Sequence, residues 1–189
     1  MARSSDRMSD ASFKVMTALF AVSDFFYPHV ARRARTFGIR EGMTVVDYGC
    51  GPGRYAVEFA RLTGPAGVVY AVDVQELAIE AARRRAERQG LSNVVPALAR
   101  GYDCGLPDGV ADRIIAVDMF FMVREPSTFL RELKRIAKAD GSLVLDDGHQ
   151  PRSATLAKVQ AAGCWAIEEE TRDHLVCRPM TTSPGSAPP

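Results

Sequence analysis

The sequence predicts an α/β fold: a doubly wound, mostly parallel sheet with a terminal antiparallel strand, folded as a single domain. Three observations predict it. Short apolar, β-branched segments alternate with helical patterns through most of the chain, and such alternation with short connections covers both faces of a parallel sheet with helices. A glycine-rich bend follows the first of those segments directly. The chain has 189 residues, which suits one domain with a substantial core.

The elements follow in order. Apolar residues at near-helical intervals from Asp10 to Phe37 (Phe13, Met16, Leu19, Phe20, then Phe25, Phe26, Val30) predict two short helices. They separate near Ser23-Asp24, where Asp24 can cap the second, and Gly38 closes that helix in a left-handed conformation. Thr44–Tyr48 reads as a buried strand, Arg54–Thr63 as a helix with Tyr55, Phe59 and Leu62 on one face, and Val68–Val72 as the next strand. Glu76–Gln89 is a helix stopped by Gly90. Asn93–Ala97 and Arg113–Val117 are the third and fourth strands. Ser127 is expected to cap a helix with Phe129, Leu133 and Ile136 in one stripe, closing near Gly141. Ser142–Leu145 is a fifth strand and Ala154–Ala162 a helix ended by Gly163; Trp165–Glu169 and His174–Arg178 pair as the terminal couple of strands. From Pro179 the chain is rich in Pro, Ser, Thr and Gly, the composition of a disordered tail.

Composition excludes several function classes. Twenty-four basic and 23 acidic residues leave a net charge of +1, which offers no broad footprint for nucleic acid or an anionic membrane. The basic run Arg83-Arg84-Arg85 with Arg88 lies in a helical pattern beside Glu80 and Glu87, as a solvated face does. No apolar stretch reaches the roughly 18 to 20 residues that span a bilayer, and Asp6, Asp10 and Lys14 interrupt any signal-like segment. Cys50, Cys104, Cys164 and Cys177 lack C-x-x-C spacing, so neither a structural metal nor a disulfide framework is expected and a reducing cytoplasm is the simplest home.

The chemistry concentrates at the carboxyl ends of the first two strands, where ligands of such sheets bind. Asp47-Tyr48-Gly49-Cys50-Gly51-Pro52-Gly53 has the spacing G-x-G-x-G after an acid, and Arg54 stands where a dinucleotide fingerprint needs its third glycine. A carboxylate beside the bend repels a pyrophosphate and suits a cationic group, an ammonium or a sulfonium. Asp73 closes the second strand, where a carboxylate can accept both hydroxyls of a ribose; taken alone it is equally a turn former.

Val45-Val46-Asp47-Tyr48-Gly49-Cys50-Gly51-Pro52-Gly53 and Val69-Tyr70-Ala71-Val72-Asp73 resemble the two cofactor motifs of the Rossmann-like (class I) S-adenosylmethionine-dependent methyltransferases, in particular the small-molecule branch of ubiquinone/menaquinone-biosynthesis (type 11) enzymes. Leu106-Pro107-Asp108-Gly109 with Ala111-Asp112, and the helical stretch Phe129–Ile136, are similar to segments that follow in that family. The resemblance implies an S-adenosylmethionine-binding domain over 39–178; before it lies the helical segment over 1–38, able to act as a lid, and after it the tail over 179–189. It implies that Gly49, Cys50 and Gly51 present backbone to the methionine part, with Asp47 beneath the ammonium. Asp73 would hold the ribose, Val74 would pack on the adenine, and Asp118 would border the methionine end. The adenine amino group falls to Asp103 or, by stacking, to Tyr102. Methyl transfer to a small-molecule acceptor is the implied activity.

On the acceptor side the alternatives stay open. His149, beside Asp146-Asp147, is the candidate general base or a solvated loop residue. Met119-Phe120-Phe121-Met122 is either core or acceptor pocket, with Phe120 and Phe121 as candidates. Phe25, Phe26 and Tyr27 are either helix packing or a lid, and Tyr27 is with Phe120 and Phe121 a candidate to bind the acceptor. The pocket is open, covered by the N-terminal helices, or completed by a second subunit in a homo-oligomer. Cys50 reads as packing. A short-chain dehydrogenase is excluded, since no tyrosine is followed four residues later by lysine; a nucleic-acid amino-methyltransferase lacks its Pro-Pro-aromatic segment, the only Pro-Pro being Pro188-Pro189. A catalytically inactive S-adenosylmethionine-binding partner subunit, or a protein or RNA methyltransferase, remains the alternative.

Overall fold

In a computed structural model that describes residues 9–26 and 29–180, the strands β1 (Thr44–Tyr48), β2 (Val68–Asp73), β3 (Val94–Leu98), β4 (Ala111–Ala116), β5 (Ala137–Leu145), β6 (Trp165–Glu170) and β7 (Leu175–Pro179) form one sheet in the order β3-β2-β1-β4-β5-β7-β6. The first five run parallel, and β7 lies antiparallel between β5 and β6. Winding reverses between β1 and β4, so the carboxyl end of β1 faces a crevice.

Both sheet faces are buried, each by its own core. Val46, Ile114, Leu143 and Leu145 point one way, onto Phe129, Leu130 and Leu133 of α5 (Pro126–Ile136) and Val159 of α6 (Arg152–Ala162). Val45, Val69, Ile115 and Val144 point the other way, onto Ala34 of α2 (His29–Ala34), Phe59 of α3 (Arg54–Thr63) and Ala82 of α4 (Glu76–Arg88). Two-sided burial is why these strands read as continuous apolar runs instead of alternating ones. Trp165 ties β6 to α5 by donating its indole N–H to the Leu130 carbonyl at 2.8 Å.

Several local expectations are corrected. The N-terminal segment does hold two helices, but the first, α1 (Asp10–Phe26), runs through Ser23-Asp24, so Asp24 is interior to it and does not cap α2, which starts at His29. Gly38 does close the following turn, at φ 66°. Helix α5 starts one residue before Ser127, because Pro126 brings its own helical φ to the first turn and Glu125 becomes the cap residue. It ends at Ile136. Gly141 lies inside β5, where the register shifts and an added Cβ would stand 2.7 Å from the Ala111 carbonyl oxygen. The predicted tail begins with Pro179, which ends β7; residues 181–189 lie outside the described residues. No described helix is long and apolar enough to cross a membrane.

Gly53 joins this packing to the site. It opens α3 at φ 75°, and a Cβ there would stand 2.7 Å from the Ala82 Cα on α4. Backbone conformation and neighbouring backbone both oppose a side chain. Gly53→Ala is therefore expected to lower stability by about 1–3 kcal/mol in urea unfolding; an unchanged midpoint would show that α4 yields without cost.

Candidate functional site: the crevice at the ends of β1 and β2

The chain leaves β1 through a bend that needs left-handed backbone at Gly49 (φ 81°) and Gly51 (φ 51°). Register sets its hydrogen bonding. Because Tyr48 pairs with Val72, the bend meets the end of β2. The N–H groups of Gly49 and Cys50 both donate to the Val72 carbonyl, at 2.8 and 3.0 Å, and that of Gly51 donates to Oδ2 of Asp73 at 3.0 Å. Three successive donors are thus engaged inside the fold. A bend in this state cannot cradle a phosphate, which needs free N–H groups. A Cβ on Gly49 would collide with Met119 Cγ at 2.7 Å, whereas one on Gly51 would meet nothing within 4 Å.

Beneath the bend lies Asp47, 3% exposed, with a buried Oδ2 that has no hydrogen-bond partner among the described residues. Burial first, and the charge of Asp73 second, push its carboxyl up to about 8. Asp73 is also raised by burial, against the N–H groups of Gln75, Gly51 and Val74 that favour its charged form. Its Oδ1 accepts from Gln75 at 2.9 Å and its Oδ2 from Gly51. Each carboxylate oxygen has two lone pairs, so both retain capacity for a further donor. These residues border a cavity of about 480 Å³, within the usual range for small-molecule sites.

Gly49, Cys50, Gly51, Val74 and Asp118 line the same cavity with Asp47 and Asp73. Tyr102 lines it too; its hydroxyl accepts from the Glu125 N–H at 3.1 Å and its ring meets Phe129 edge-on. Asp103 does not. It is exposed, and its carboxylate closes a local turn by accepting from the Gly105 N–H at 2.8 Å. Of the two adenine-side candidates, the crevice holds Tyr102. The Cys50 thiol is buried and pushed well above its ordinary range, mainly by desolvation, as befits packing.

Three further expectations are corrected. Phe120–Met122 forms a turn of 3₁₀ helix, and at three residues per turn Met119 and Met122 share a side. Those methionines line the cavity. Phe120 is rotated into the core against Phe129, fully buried, with Lys158 Nζ 5.2 Å from its ring centroid. Phe121 turns outward, and exposed His149 packs edge-on against it at 4.9 Å. Neither of these two is among the cavity residues, so His149 is not brought to the cavity wall. Tyr27 and the side chains of Phe25 and Phe26 lie outside the described residues.

Sequence reasoning missed other contributors. Phe13 and Met16 of α1 line the cavity, and Asp10 accepts from Gln75 Nε2 at 3.2 Å. Their i, i+3 spacing revealed a shared face; which surface it covers is a tertiary fact. Arg33 of α2 reaches three elements at once. It donates to the Tyr55 hydroxyl (3.0 Å), to both carboxylate oxygens of Asp118 (3.1 and 3.2 Å) and to Asp146 (2.6 Å). No local pattern marks it.

Asp47 gives a pH signature. Its carboxyl keeps a proton to about 8 when folded, against an ordinary value of 3.8. Between those limits the folded chain binds a proton that the unfolded chain has lost, so this contribution to stability falls as pH rises and levels off above about 8. The stability difference between the intact chain and Asp47→Asn should decline from pH 4 to pH 8 in denaturant titrations, whereas parallel curves would contradict the buried, proton-holding carboxyl.

Comparison with known proteins fits this geometry. Residues 39–178 match the model of a family described as "Methyltransferase domain". The chain is similar to a crystal structure of a SAM dependent methyltransferase from Aquifex aeolicus, with 25% identity and a TM-score of 0.80 over 92% of this chain and 100% of that one. It is 35% identical over 138 residues to protein-L-isoaspartate O-methyltransferase of Methanococcoides burtonii, covering 72% of this chain and 64% of that protein. It is 26% identical over 117 residues to demethylmenaquinone methyltransferase of Geobacillus kaustophilus, covering 62% and 50%. The chain spans about a third to two thirds of the length of the curated relatives it matches. With a seven-stranded sheet in the class I methyltransferase arrangement and a family match over most of its length, the chain belongs to the methyltransferase-domain family.

Proposed function

We propose that this chain transfers a methyl group from S-adenosylmethionine to a small-molecule acceptor. The observation that carries the reading is the polarity of the bend: its donors are engaged, and beneath it lies a buried carboxyl whose Oδ2 has no hydrogen-bond partner among the described residues. That combination suits a cationic amino acid group and opposes a pyrophosphate. Demethylmenaquinone and nocamycin methyltransferases among the similar proteins carry names that support a small-molecule acceptor.

The donor supplies an activated sulfonium methyl when bound, so alignment and exclusion of water are the protein's main work, worth up to about 7–11 kcal/mol in well-oriented systems. Asp47 and the Gly49 carbonyl are proposed to receive the ammonium. Asp73 is proposed to take the ribose hydroxyls on its remaining lone pairs, and Val74 and Tyr102 to flank the base. Phe13 and Met16 of α1 are proposed as the lid that limits water at the methionine end. Four buried free thiols suit a reducing cytoplasm.

Calorimetric titration with S-adenosylhomocysteine tests the cofactor assignment. Asp73→Ala is expected to weaken binding by about tenfold or more, and unchanged affinity would remove Asp73 from the site. Incubating the chain with methyl-labelled donor and a panel of small acceptors is expected to release S-adenosylhomocysteine together with a labelled product. Tight binding without turnover on any acceptor would point instead to a binding or regulatory subunit.

A further inference from the structure

Asp118 is the one non-glycine residue with positive φ among the described residues, at 58°. It follows β4 at the sheet's winding reversal and lines the cavity beside Met119. A side chain held in left-handed backbone is uncommon, and such residues gather where the surrounding structure over-determines them for a purpose. Here the constraint is visible. The Asp118 N–H donates to Oδ1 of Asp146 at 2.8 Å, and Arg33 clamps both carboxylate oxygens while donating through its other terminal nitrogen to Oδ2 of Asp146. Asp146 is buried, its side chain 4% exposed, and Arg33 offsets its charge; the Asp118 side chain stays 61% exposed at the rim. The Tyr55 hydroxyl, also on the cavity wall, fixes the guanidinium from α3.

Phe13, Met16, Met119 and Met122 give the cavity an apolar, adaptable stretch of wall. A polar group held in a fixed position on such a cavity sets the orientation of what binds there. On the methyl-transfer reading above, we propose that Asp118 binds the acceptor by taking a hydrogen bond from its nucleophilic O–H or N–H, and that Arg33 is the positioning residue that aims it. The acceptor class is accordingly a hydroxyl or amine carried on an apolar body. In the step, the nucleophile's lone pair forms the bond to the methyl carbon and the carbon–sulfur pair returns to sulfur as a thioether. The proton released by the nucleophile passes to water at the exposed edge of the carboxylate. Paired with Arg33, Asp118 orients the nucleophile without having to act as the base.

Sinefungin, whose amine stands where the sulfonium methyl would, presents an N–H at the transfer position; S-adenosylhomocysteine presents none. Calorimetry of the full chain with both is expected to show a preference for sinefungin of about tenfold. Asp118→Asn tolerates left-handed backbone but removes the charge, and should bring the ratio to within about threefold. Arg33→Lys conserves charge and can still pair with Asp146, but it cannot fork across three partners; it should narrow the ratio as well. A merely structural Arg33 would weaken both compounds alike and leave their ratio intact, which would overturn its positioning role. No preference in the intact chain, or a preference that survives Asp118→Asn, would overturn the assignment of Asp118. If neither compound binds, the cofactor reading itself fails and takes this proposal with it.

Discussion

The parallel register of β1 on β2 is the constraint on which the site depends. It sets Tyr48 opposite Val72, so the glycine bend leaves β1 where β2 presents the Val72 carbonyl and then the Asp73 carboxylate. Those two acceptors take the donors of Gly49, Cys50 and Gly51. A bend that in other α/β proteins offers N–H groups to phosphate therefore offers carbonyl oxygen and, through Asp47, a buried carboxyl that a cationic group beside it would help to ionise. Asp73 has two tasks in this arrangement. It holds the bend in shape while facing the cavity.

The second organising element is the attachment of the N-terminal segment. Asp10 bonds the loop after β2, and Arg33 bonds the ends of β4 and β5 together with α3. Helix α1 between them places Phe13 and Met16 on the cavity wall. Burying the Asp146 carboxylate without a partner would be costly, and Arg33 meets that need while bringing charge to the cavity's rim. The same ion pairs that attach α2 also set the polar end of the cavity.

Much of this was legible in the sequence because it is written in short-range pattern. Each buried strand, the glycine bend, and each acid at the end of β1 or β2 is marked by its immediate neighbours in sequence, and the cavity brings the bend and the two acids together. What was not legible depends on distance or on rotation about a turn. Asp103 and Tyr102 are neighbours, yet a local turn faces one outward and the other inward. Phe120 and Phe121 lost their places to Met119 and Met122 because a 3₁₀ turn, invisible to composition, sets which side chains face the crevice. Arg33 acts across 85 and 113 residues of sequence on Asp118 and Asp146, and no periodicity carries such information. His149 follows the same rule: proximity to Asp146 along the chain did not become proximity to the cavity.

The most direct test of the central claim is a competition between ligand classes at this bend. Equilibrium dialysis of the full chain against S-adenosylhomocysteine and a nicotinamide dinucleotide together should retain the amino acid nucleoside and exclude the pyrophosphate. Retention of the dinucleotide with exclusion of the nucleoside would mean that the donors of Gly49, Cys50 and Gly51 are available to phosphate after all, and would contradict the account at its root.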